Sequence, residues 1–241
     1  MKPATTAEIL ITVIARLLRG SRHVVAGAQS PVPGAAALLA KSLGWGVERV
    51  TVLGSSRYNA YTDGGVETFD MAAQGRIDAF FLGGGQIDGE ANINLVGVGG
   101  YPDSKVRWPG SFGSPYQYAL VPKVILFREE HTPRVMVPRV EFISAPGTSP
   151  SHVHRPGGPS ALVSGLCLFS FDRQRKRFRL ESVHPGHDAE EVRQQTGFDY
   201  DAPAQVPQTE APDATLLAQI RGPIREQIAE TYPRFADSLA G

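Results

Sequence analysis

The chain has 241 residues with 24 Lys and Arg against 24 Asp and Glu, a formal net charge of zero, which removes any electrostatic basis for holding nucleic acid or an anionic membrane. No apolar run is long enough to span a bilayer, and Glu8 and Arg16 interrupt the first apolar stretch in a way secretory signals do not show. The single cysteine, Cys167, excludes an internal disulfide framework and suits a reducing compartment, so a soluble, cytoplasmic protein is expected.

Residues 5–18 are expected to form a helix, with Thr5 and Glu8 as a capping box, Leu10, Val13, Ile14 and Leu17 as one apolar stripe, and Gly20 as the stop. Residues 23–27 make a short strand ending in glycine. A proline loop at 29–34 leads to a second helix at 35–43, and the next strand, 50–53, ends at Gly54-Ser55-Ser56. Strand, glycine loop, helix, strand is the grammar of a wound, mainly parallel sheet with helices on both faces.

The apolar run Ala79-Phe80-Phe81-Leu82 feeds into Gly83-Gly84-Gly85, followed by Gln86, Asp88, Asn92 and Asn94. A strand running into consecutive glycines is expected to adopt φ > 0 there and to bring bare N–H groups close to a ligand. The polar side chains beyond it offer hydrogen bonds to a small molecule; the plainer alternative is a tight structural turn.

Short strand-like segments follow at 121–127, 134–137 and 140–143, with prolines between them. Residues 161–171 and 177–183 read as a hairpin across the polar turn 172–176, an antiparallel edge. A short amphipathic helix covers 189–195. Beyond Tyr200 prolines alternate with acids before a polar helix from Ala214. One domain over 1–203 with a C-terminal arm and helix over 204–241 is expected.

Several residues invite chemistry and are better read as structure. His152 and His154 share one side of an extended segment, but no third metal ligand lies near, so a solvated loop is expected and no metal. Cys167 sits in an apolar strand as an inert core residue. His184 precedes Pro185-Gly186 in a turn, and the basic stretch 172–177 reads as a solvated hairpin turn.

Five segments in order resemble the β subunit of family I coenzyme A transferases, the glutaconate CoA-transferase type. Gly83 to Asn94 resembles that family's G-x-x-Q-V-D-x-x-G-N-x-N signature, and Pro109-Gly110-Ser111-Phe112-Gly113 its P-G-x-G-G loop. Val140 to Gly147 resembles V-D-F-I-T-S-P-G, and Leu180 to Gly186 with Val192 and Thr196-Gly197-Phe198 resembles L-x-x-V-x-P-G…V…T-G-F. The resemblance implies an acyl-CoA thioester as substrate, no permanently bound cofactor and, as partner, a separate α subunit. It implies substrate or CoA contacts at Gly83, Gly84, Gly85, Gln86, Asp88, Asn92, Gly110, Ser111 and Gly113.

One departure bears on mechanism. The transferases carry a catalytic glutamate at the end of the strand before the glycine loop, whereas here that strand end reads Val52-Leu53-Gly54-Ser55-Ser56. The next acids along the chain are Asp63 and Glu67. Exchange of CoA between acids needs a carboxylate nucleophile, so that successive thioesters are of similar energy. A serine ester lies lower and would trap the enzyme. Ser55, Ser56 and Glu67 are therefore weak catalytic candidates. Three readings stay open: a transferase, a CoA-thioester hydrolase or ring-opening enzyme related to the steroid-ring hydrolase of the same superfamily, and a non-catalytic subunit completing a partner's site.

Overall fold

The computed structural model describes residues 2–100 and 102–239. They fall into two compact units, one formed by residues up to Phe81 and from Glu210 onward, the other by Leu82–Thr209.

In the first unit, α1 (Thr6–Leu17) begins with the expected capping box: Thr5 Oγ1 accepts from Glu8 N, and the Glu8 carboxylate accepts from Thr5 N at 2.8 Å. Strand β1 (His23–Ala26) lies between β2 (Arg49–Val52) and β3 (Ala79–Leu82), parallel to both, with Val24 opposite Val50 and Ala79. Helix α2 (Pro31–Ser42) starts four residues before the expected position. Pro31 and Pro33 both lie in its first turn, where N–H groups have no intrahelical acceptor, so neither proline breaks it. Helix α3 (Gly64–Ala73) was not expected, because its opening glycines carry little helical signal.

The second unit opens with the pairs β4 (Gln86–Ile87) with β5 (Ile93–Asn94), and β6 (Gly97–Val98) with β7 (Val106–Arg107), both antiparallel. Helix α4 (Ser114–Leu120) precedes β8 (Lys123–Arg128), and β9 (Pro159–Ser164) runs parallel to β8. Strands β10 (Cys167–Asp172) and β11 (Arg177–Val183) continue antiparallel, with β11 at the edge, and α5 (Ala189–Gln195) follows. The wound, mainly parallel sheet with an antiparallel edge hairpin is therefore present. The expected strand 161–171 is two strands. Gly165 turns the chain between them, its N–H donating to Glu129 O, with no room for a Cβ, which would lie 2.5 Å from that oxygen.

The segments 134–137 and 140–143 are not strands. Pro133 and Pro138 remove ladder donors, and only an isolated bridge joins Met136 to Ile87. Phe169, Phe178, Phe198 and Tyr200 pack as an aromatic cluster with neighbouring centroids 4.9–6.3 Å apart. The proline-rich stretch after it lies along β11, with bridges from Asp201 to Arg179 and from Gln208 to Val183.

The terminal segment belongs to the first unit. Ala214–Gln219, a π-helical turn at Ile220–Ile224 and Arg225–Ala229 form one helical run, and a short separate helix, Pro233–Ser238, follows a turn. The expected polar helix buries Leu216, Leu217, Ile220, Ile224 and Ile228, and the helix after it buries Ala236. Pro223, which cannot donate to the helix ladder, explains the widened turn. Ile228 reaches Gly34 of α2, where a Cβ would meet its Cδ1 at 3.2 Å. Among the described residues no helix is long and apolar enough to cross a membrane.

Candidate functional site

The signature segment folds into a hairpin whose polar side chains are buried and turned on one another. Gln86 Oε1 accepts from Asn94 Nδ2 at 2.8 Å and from Glu141 N at 3.1 Å, while its Nε2 donates to Glu141 Oε1 at 3.1 Å. The Asp88 carboxylate accepts from the backbone N–H groups of Glu90, Asn92 and Val140 and from Asn92 Nδ2. Asn92 Oδ1 accepts from Gly147 N, and Asn94 Oδ1 from Val96 N and Gly97 N. These bonds tie β4 and β5 to the 140–147 segment. The two motifs, separate in sequence, make one scaffold.

The three glycines differ from the expectation. None of Gly83, Gly84 and Gly85 has positive φ. They are glycine because the protein itself occupies the space: a Cβ on Gly85 would lie 2.3 Å from the Trp108 indole, one on Gly84 2.7 Å from Ile93, and one on Gly83 3.1 Å from Phe127 O. The left-handed residue is Ala91, with φ +59°, at the position where the quoted signature has glycine. Tyr118 secures this turn by donating its buried hydroxyl to Ala91 O at 2.8 Å.

Beside the hairpin lies a hollow of about 230 Å³, lined by Val96, Gly97, Gly99, Ser104, Glu141 and Phe142. Glu141 joins it to the scaffold: one carboxylate oxygen holds Gln86 Nε2 and the other accepts from Gly99 N at 2.7 Å. In the 109–113 loop, Gly110 packs on Leu95, where a Cβ would lie 2.9 Å from its side chain, and Gly113 is the N-cap of α4. Ser111 is half-buried between them, and Phe112 is 86% exposed.

A carboxylate from elsewhere in the chain reaches the strand end at Gly54-Ser55-Ser56. Glu230, 174 positions beyond Ser56 at the close of the C-terminal helical run, accepts from Ser56 N at 2.8 Å and from Ser56 Oγ at 2.7 Å through Oε1. Its Oε2 accepts from Ser55 Oγ at 2.6 Å and from Thr231 Oγ1 at 2.7 Å. Hydrogen bonds from Ser55, Thr231 and Ser56 hold its pKa down at about 2. Ser55 Oγ also accepts from Arg57 N and Tyr58 N, so its proton and both lone pairs are engaged and it is a poor nucleophile. Glu67 receives Asp63 N at 2.8 Å, as a residue bracing the start of α3. No local motif announces Glu230; only the return of the chain brings it here.

The remaining buried polar groups form a structural network. His131 bridges Ser164 Oγ and Thr196 Oγ1, and His184 bridges Ser164 O and Thr209 Oγ1. Burial pushes both imidazoles down to about 4 and the Cys167 thiol up to about 12, so the rings stay neutral and the thiol inert near pH 7. Arg173 donates to the carbonyls of Pro122, Gly158 and Pro159, while Arg175 and Arg177 pair with Asp201. Among the described residues no group of three or more His, Cys, Asp or Glu is placed to hold a metal ion.

The chain is 35% identical over 153 residues to the β subunit of the 3-oxoadipate CoA-transferase of Pseudomonas knackmussii, covering 61% of this chain and 58% of that protein. It is 31% identical over 148 residues to the β subunit of the glutaconate CoA-transferase of Acidaminococcus fermentans, covering 58% and 54%. It is 30% identical over 165 residues to the cholesterol ring-cleaving hydrolase IpdB subunit of Rhodococcus jostii, covering 64% and 62%. The matched stretch thus spans less than two thirds of each curated relative. Among solved structures, the decarboxylase AibA/AibB superposes with a TM-score of 0.76 at 23% identity, covering 98% of both chains. The glutaconate coenzyme A-transferase of Acidaminococcus fermentans superposes with a TM-score of 0.78 at 23% identity, covering 91% of this chain and 94% of that one. The model of the Coenzyme A transferase family matches residues 5–195, most of the described fold with the scaffold that the two motifs make, and the chain belongs to that family.

Proposed function

We propose that this chain is the β-type half of a two-subunit enzyme acting on an acyl-CoA thioester. The observation that carries this is the family match over residues 5–195, reinforced by relatives that are themselves β subunits of CoA-transferases. In this reading Gln86, Asp88 and Asn92 are the frame, and substrate meets the surfaces they hold: the hollow bordered by Gly97, Gly99 and Glu141, and the loop from Gly110 through Ser111 to Gly113. Gly83, Gly84 and Gly85 let that frame close tightly. The exposed Ser56 contacts the substrate at the strand end, beside a Ser55 whose oxygen is fixed by the turn's own N–H groups.

A second reading, hydrolysis of the thioester, is favoured by the likeness to the ring-cleaving hydrolase. Co-expression with an α subunit of the family, followed by mass spectrometry of acyl-CoA mixtures with a labelled free acid, separates the two. Label appearing in acyl-CoA marks transfer, and loss of thioester without label uptake marks hydrolysis. A stable pair that neither binds nor consumes any acyl-CoA removes the proposal.

A further inference from the structure

The turn at Ser55-Ser56 holds a carboxylate with neutral donors alone. The Ser55 hydroxyl, the Ser56 amide and the Ser56 hydroxyl converge on the two oxygens of Glu230 at 2.6–2.8 Å, in the range of charge-assisted hydrogen bonds. The turn itself is pre-set. Ser55 is 4% exposed, its oxygen is fixed by Arg57 N and Tyr58 N, and Gly54 takes φ +92° to start the bend. Glu230 and Ser56, by contrast, face solvent. The donors are therefore built into the fold, and the acceptor is an exposed side chain delivered from a distant helical run.

We propose that the Ser55–Ser56 turn is a binding site for the carboxylate of a free carboxylic acid, occupied in the unliganded chain by Glu230 and opened when an incoming acid displaces it. The exchange swaps one carboxylate for another on the same donors, so no donor is left unpaired and no charge is buried or exposed. What favours Glu230 is its tether, which presents it at a high effective concentration. A substrate acid overcomes that advantage when it is itself held by other contacts of the enzyme. This inference rests on reading the chain as one that handles a carboxylic acid and its CoA thioester, and it assigns the acid's carboxylate a place.

The test is an acetate titration of the full chain, followed at the Ser56 amide by two-dimensional NMR, with acetamide and sodium chloride as controls. In Glu230→Ala the Ser56 amide should shift saturably with acetate and not with either control, while the wild-type chain responds at least about ten-fold more weakly because its own carboxylate competes. Should Glu230→Ala not fold, Glu230→Gln, which keeps the volume but not the charge, takes the same titration. A folded variant whose Ser56 amide ignores acetate, or follows acetamide equally, overturns the site and leaves Glu230 as a structural clamp. Neither CoA nor a partner chain enters this measurement, so its failure is separable from failure of the acyl-CoA reading.

Discussion

Replacing Gly85 by alanine puts a methyl carbon 2.3 Å from two atoms of the Trp108 indole and 2.6 Å from a third. Ordinary contact begins near 3.4 Å, so the ring has to retreat by about 1 Å. The Trp108 backbone resists such a move, because its N–H donates to Val96 O at 2.9 Å and β7 is paired with β6 just before it. The displacement therefore falls on the side-chain torsions, and Gly85→Ala should destabilise the chain by about 1–3 kcal/mol, the usual range for overpacking. Urea denaturation of Gly85→Ala, Trp108→Ala and the double variant measures it. In the Trp108→Ala background the same methyl should cost less than about 0.5 kcal/mol, giving a coupling that additive sites do not show. Equal costs in both backgrounds, or a wild-type midpoint for Gly85→Ala, would refute the packing account and return this glycine to a purely ligand-facing role.

Asp88→Ala strips the acceptor from three backbone N–H groups and from Asn92 Nδ2, and buried donors left unpaired cost about 1–3 kcal/mol each; denaturation should show a loss of at least about 3 kcal/mol, and a smaller one would mean water replaces the carboxylate. His131, neutral in the fold with its pKa down at about 4 against an ordinary 6.5, contributes stability that is complete above pH 6.5 and lost as pH falls to 4. That window corresponds to about 3 kcal/mol, so His131→Asn should flatten the fall in stability between those pH values, and an unchanged slope would show that another group carries it. Glu230, held at about 2 from an ordinary 4.5, contributes stability present above pH 4.5 and lost as pH drops towards 2. Acid unfolding of Glu230→Gln followed by circular dichroism should lack that component, and a transition identical to wild type would show that the clamp contributes nothing to the fold.

Local chemistry made much of the frame legible. A capping box, short β-branched runs ending in glycine and a two-strand pattern across a polar turn each depend on residues within a few positions, and α1, β1, β2, β3 and the β10–β11 hairpin lie close to where those patterns point. The five ordered motifs identified the family because their residue types are constrained by close packing and buried hydrogen bonds, as Gly85 against Trp108 and Gln86 against Glu141 illustrate. The polarity of Asp88 and Asn92 marked an important segment; their orientation did not follow from it, since a carboxylate beside glycines serves a ligand or a turn equally well until its donors are known. Pairings across the chain were decided by tertiary structure alone. A helical run read as polar buries an isoleucine face on α2, and in docking there it carries Glu230 to Ser55 and Ser56, 175 and 174 positions away. Sequence periodicity records which face of a helix is apolar, but the partner of an exposed glutamate at its end depends on where that face docks, and that is a property of the folded chain.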